Sequence, residues 1–245
     1  MIEDIVTILW KEWKEIIHMR GSARSTVVMM MVPLLLLGIV FPLQFGRHWA
    51  ESPVSLLLWG WIPLLLASAV VADSFAGERE RHTLETLLAS RLPDRAILFG
   101  KLLASVFYSL GLTFAIIMIG IVTLNIRYFG EGFIFFNTVY FAAGTAIGLL
   151  GTTLISAAGI LVSLRARTVR QAQQALSFVV VILGMSPGLF FGIVPAHIRA
   201  RIADALRAVD GTTACVAGLV LLALVDCVLV AAAMKRFTRD RLIGE

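Results

Sequence analysis

Apolar and polar positions along the chain alternate on two scales. On the longer scale, six mostly apolar runs near 26–45, 53–72, 102–124, 135–162, 175–194 and 212–234 are separated by stretches that hold most of the charge. A hydrocarbon core about 30 Å thick is crossed by roughly 20 helical residues rising about 1.5 Å each, so every run is long enough to span. None alternates apolar with polar at every second residue, as a membrane strand would. The pattern predicts an all-α integral membrane protein with six transmembrane helices.

The shorter scale adds three helices that do not cross. In "MIEDIVTILWKEWKEIIHMR", Ile2, Ile5, Val6, Leu9, Trp13, Ile16 and Ile17 recur at spacings of three and four, while Glu3, Asp4, Lys11, Glu12, Lys14 and Glu15 take the other side. This predicts an amphipathic interfacial helix within 1–22, with Trp10 and Trp13 at headgroup level and a bend at Gly21 and Ser22. Between the second and third runs stands "ADSFAGERERHTLETLLASRLPDRAILFGKLL". From Glu78 to Ala89 it has no Gly or Pro. Leu84, Leu87 and Leu88 form an apolar stripe, and Glu78, Arg81, His82 and Glu85 share a polar face. A separate helix over 78–90 follows, ended by Pro93, with Asp94 favoured at the start of the next helix. After the fifth run, "LGMSPGLFFGIVP" places Pro187, Gly188, Gly192 and Pro195 where a kink or re-entrant turn is expected, and "HIRARIADALRAVD" reads as a short amphipathic helix over 196–210.

Composition agrees with the membrane reading: 59% hydrophobic, 15% charged, mean hydropathy +0.90. The net charge of +5 reads as a topology signal. With the amino terminus inside, only Arg47, Arg127, Arg199, Arg201 and Arg207 of the 21 basic residues fall outside. Both termini and the 72–103 stretch then face the cytoplasm. No concentrated basic patch suggests nucleic acid as a partner. Cys215 and Cys227 sit on one helix, too far apart to bridge each other, and read as packing thiols.

Catalytic signatures are absent from the sequence. The single Gly-Lys pair, Gly100-Lys101, has Arg95 where a phosphate loop needs its first Gly and Leu102 where it needs Ser or Thr. There is no HExxH, GxSxG or Cys/His cluster at ligand spacing, so no catalytic residue, metal or cofactor is expected on this chain. Asp226, in "LLALVDCVLVAA", is the one ionisable side chain placed well inside a span. It reads either as a proton or cation site on a pathway or as a structural hydrogen-bonding group. Gly144, Gly148 and Gly151, with Thr145, Thr152 and Ser156, suit close helix packing.

An amphipathic amino-terminal helix, two spans, "ERERHTLETLLAS", a Pro-containing turn and "ILFGKLL" entering the third span together resemble, over the whole chain, the permease subunits of type 2 ATP-binding cassette exporters. The resemblance implies that the stretch matching Glu78, Arg79, Glu80, Arg81, Thr83, Leu84, Glu85, Leu87 and Leu88 is a coupling helix docked on an ATPase subunit. His82 stands where that family commonly has Gly. It further implies two ATPase copies carrying ATP and Mg, a second identical or related permease, an outer gate near Pro187 and Gly188, and residence in the inner membrane of a prokaryote. Two other classes fit the residues: a scaffold or sensor that binds a cytoplasmic partner through the charged helix, and a secondary transporter driven by protonation of Asp226.

Overall fold

The computed structural model describes residues 1–18, 31–52, 55–193, 195, 197–198 and 211–237, and among these every regular element is helical. The elements are α1 (Ile2–His18), α2 (Met31–Phe45, with a π-helical segment at Leu36–Val40), α3 (His48–Glu51), α4 (Ser55–Glu80), α5 (Leu84–Leu88), α6 (Asp94–Arg127), α7 (Thr138–Arg165), α8 (Val169–Ile193) and α9 (Gly211–Arg236). Four stretches, within α4, α6, α7 and α9, are long and apolar enough to cross a membrane. The chain is a multi-pass membrane protein.

Helix α4 is the centre of the bundle, packed on α7, α8 and α6. Its contact with α7 is close because α7 offers glycines there. A Cβ on Gly151 would lie 2.8 Å from Leu64, and one on Gly159 only 2.2 Å from Val71. Apolar side chains gain nothing by leaving lipid for one another, so such small-residue contacts are what hold membrane helices together. Of the glycines singled out by spacing, Gly151 has this role, and Gly159 shares it. Ser163 of α7 adds a polar pin: its Oγ donates to the Ala72 carbonyl and accepts from the amides of Phe75 and Ala76 at 3.1 and 2.9 Å.

Helix α1 lies along α6, and α2 packs on α6 further along. Helix α9 rests chiefly on α7 and shows a long apolar face, with Val216, Val220, Leu221, Leu224 and Val228 exposed. The base of the bundle, where α4 ends and α6 begins, holds the largest apolar cluster, built on Ile8, Phe75, Leu84, Leu87, Leu88, Ile97 and Leu98 among others.

Several helices run past the apolar segments that predicted them. Helix α4 continues to Glu80, and α6 starts at Asp94, the acid expected near its start, with Pro93 just before it. The anticipated separate helix over 78–90 is not formed: Glu78, Arg79 and Glu80 are the last turn of α4, and only Leu84–Leu88 forms α5. Nor does the backbone turn back at the Pro-Gly pair, since α8 continues through Pro187 and Gly188 to Ile193. The bend at Gly21 and Ser22 and nearly all of 196–210 lie outside the described residues.

Candidate functional site at the base of α4

The break between α4 and α5 has a definite chemistry. His82 has φ +56, the one non-glycine with positive φ among the described residues. Its amide donates to the Arg79 carbonyl at 3.2 Å, and the next amide, Thr83, donates to the Glu78 carbonyl at 2.9 Å. These two bonds close the carbonyls that a helix end leaves open, in the pattern whose left-handed position is usually glycine. The polypeptide therefore turns sharply after Arg81 and presents α5 at an angle. Leu84, Leu87 and Leu88 enter the basal cluster, while His82, Thr83, Glu85, Thr86 and Ala89 stay exposed.

Three consecutive residues of the "ERER" run reach three different places. Glu78, 1% exposed, accepts through Oε1 from Lys11 of α1 at 2.7 Å and from Lys101 of α6 at 2.9 Å. Lys101 uses its remaining protons on Glu12 Oε1 of α1 at 2.7 Å and the Ser74 carbonyl at 2.8 Å, and it lies over the Phe75 ring. A buried ammonium so enclosed has its charge and all its donors satisfied, the condition for tolerating it away from water. Glu12, Glu15 and Glu78 bring carboxylate oxygens within 4.8 Å of one another, close enough to hold a cation. The two ammonium groups already supply that positive charge. At Lys11 burial pulls the pKa down, but the Glu78 hydrogen bond and the charges of Glu78, Glu12 and Glu15 outweigh it and leave the group above its usual 10.5. Its stabilising contribution is thus complete at neutral pH, below the usual 10.5, and is lost as pH rises from there through the raised value.

The next two residues close helix ends. Arg79 donates to the carbonyls of Leu164, at 3.0 Å, and Ala166, at the finish of α7. Glu80 accepts from the amide of Val169, the first residue of α8, at 2.9 Å. A cation at a helix carboxyl end and an anion at an amino end both complement the helix dipole. Arg81, more exposed and just past the end of α4, reaches back to Asp73 of that helix at 3.3 Å. The polar face expected to join Glu78, Arg81, His82 and Glu85 therefore does not exist. Glu78 turns into the bundle, and Glu85 follows the left-handed turn outward.

A family model described as ABC-2 type transporter matches residues 3–194, and no curated protein or solved structure matches. The chain belongs to the ABC-2 type transporter family. It is accordingly the permease component of an ABC transporter, working with an ATP-binding subunit in a membrane complex. Within the ABC-2 domain the described spans α4, α6 and α7 and the basal knot all fall inside the matched residues, whereas α9 lies beyond them.

The remaining sequence candidates of this ABC-2 chain are dispersed. Trp10 is 60% exposed with Lys14 over its ring, and Trp13 is half-buried. Asp226, on α9, is 5% exposed, and neither carboxylate oxygen has a hydrogen-bond partner among the described residues. It is not brought together with the basal knot. Pro187 and Gly188 lie within α8, far along the chain from that knot. Pattern reading missed Lys101, which it placed before the third span and which is in fact buried near the start of α6. It also missed Ile8, the most buried residue of α1, seated where a Cβ on Gly100 would lie 2.6 Å away. The adjacency of Gly100 and Lys101 was the available signal: a residue with no side chain beside a long cation, in register with Ile8 and Glu12 four residues apart.

Proposed function

We propose that this ABC-2 permease is an exporter subunit whose exposed α5 turn receives the movement of an ATPase partner. The observation that carries the reading is the division of labour at the base of α4. Glu78, Arg79 and Glu80 bind α1, α6, α7 and α8 to one point, and His82, Thr83, Glu85, Thr86 and Ala89 are left as the accessible surface beside it. A partner pressing on that surface acts on five helices at once. In this reading the chain crosses six times with both termini in the cytoplasm, pairs with a second permease around a path, and relies on two ATPase copies for ATP and Mg, in a prokaryotic inner membrane.

Purification of the tagged chain from its host in mild detergent tests this. The native chain is expected to bring down an ATPase subunit, and the double variant Glu85→Arg/Thr86→Arg to lose it while staying folded. Leu87 and Leu88 are unsuitable for that test, because both are core residues and a charge there attacks the fold. A folded native chain that captures no ATPase removes the reading.

One observation favours a second role within the same protein. A carboxylate in a span is costly unless paired, hydrated or protonated, and Asp226 has no partner among the described residues. Asp226 serves in this reading as a proton or cation site on the path. Asp226→Asn is expected to impair export in proteoliposomes with assembly intact; unchanged export withdraws the role.

A further inference from the structure

We infer that Arg79 and Glu80 are positioning residues that make α8 follow α5. The inference rests on the coupling reading above. By sequence, α5 is joined only to α4 and α6, while the groups of the α7–α8 corner lie 85 to 89 residues beyond Arg79 and Glu80. That corner is short, running from Ala166 to Thr168 between two long helices. Its own residues satisfy part of it: the Arg167 amide donates to Gln171 Oε1, and the Gln171 amide donates to Thr168 Oγ1. Two sets of groups are left for α4 to close. The carbonyls of Leu164 and Ala166 accept from Arg79, and the Val169 amide donates to Glu80.

A helix end is ordinarily capped by a neighbour in sequence, which fixes its local shape and nothing else. Here the caps come from the last turn of another helix, so the start of α8 is held relative to α5 and not merely ordered. The exposed side of α8 immediately beyond is lined by Arg170, Gln173, Gln174, Ser177, Phe178 and Val181 beside an open groove of about 650 Å³. Displacement of α5 therefore reaches the polar stretch of α8 through Arg79 at the end of α7 and Glu80 at the start of α8, beside the apolar contact that Ala172 and Leu176 make in the basal cluster.

The requirement is for an acceptor at Glu80, not for a charge offered to a partner. Glutamine retains the acceptor and alanine does not. Spin labels at Arg91, exposed just beyond α5, and at Gln174, on α8, would be placed in separate chains with Cys215 and Cys227 replaced by Ser. Each chain is reconstituted with its ATPase in nanodiscs and compared with and without ATP and vanadate. In the otherwise native chain both labels are expected to change mobility with nucleotide. With Glu80→Ala the Arg91 response is expected to persist and the Gln174 response to be lost; with Glu80→Gln the Gln174 response is expected to return. A Gln174 response that survives Glu80→Ala overturns the inference and leaves coupling through α5 standing. A native chain in which neither label responds overturns the coupling reading as well. Should Glu80→Ala fail to assemble, Glu80→Gln decides: loss of its Gln174 response also overturns the inference.

Discussion

Two buried carboxylates in this permease have opposite surroundings. Glu78 is gripped by two lysines from two other helices, beside the largest apolar cluster of the bundle. Asp226 sits on a helix that touches little besides α7, and it has no hydrogen-bond partner among the described residues. The same chemical group is thus a fastener in one place and, in the other, a polar point with no hydrogen-bond partner among the described residues. Burial alone does not assign a role to a charged residue in a membrane protein. Its partners do.

The largest test of this contrast removes the fastener. Lys101→Met deprives Glu78 and Glu12 of their shared ammonium while keeping the stem volume, and loss of one partner from a buried ion pair costs about 3–5 kcal/mol. A strongly lowered thermal or denaturant midpoint in detergent is expected, with substantial recovery in Glu78→Gln/Lys101→Met. A Lys101→Met chain as stable as the native one would put the two carboxylates on equal footing.

Glycine substitutions probe packing on the two sides. Gly159→Ala drives a methyl into Val71 and is expected to destabilise by about 1–3 kcal/mol. On α9 the same change at Gly218, which has open space around it, is expected to be neutral or to stabilise by up to about 1 kcal/mol through helix propensity. Asp226→Leu removes an unsatisfied buried polar group, and unfolding in detergent should show a gain of about 1–3 kcal/mol. Destabilisation instead would reveal a partner for Asp226 and erase the contrast. The smallest effect is expected at the hinge: His82→Gly relieves a left-handed non-glycine and should raise stability by about 0.5–1 kcal/mol, read as a modest shift in midpoint.

Much of the architecture was legible because hydrocarbon thickness imposes a length that a hydropathy pattern reveals directly. The four long apolar helices, α1 and the start of α6 at Asp94 follow from local sequence. The base of α4 does not. Charges in "ERER" read as a solvated face because a one-dimensional pattern carries no information about partners 67 to 89 residues away in the chain. The turn at His82 left no mark in the pattern of residues 78–89, which lack Gly and Pro; the Gly common at that position in the resembled family was its signal, and two hydrogen bonds outweigh the left-handed cost at histidine. Gly100-Lys101, considered only as a defective phosphate loop, proves to be a helix contact.

The thin attachment of α9 bears on biosynthesis. Asp at the middle of a membrane helix opposes insertion by about 2.5–3.5 kcal/mol, a deficit that the surrounding Leu and Val residues must overcome. Ribosomes deliver α7 before α9, so a receiving surface is already in the bilayer when that acid emerges. The last described helix therefore arrives as a late addition to a nearly finished assembly, and a chain stopped before Gly211 should still integrate everything that converges on Glu78.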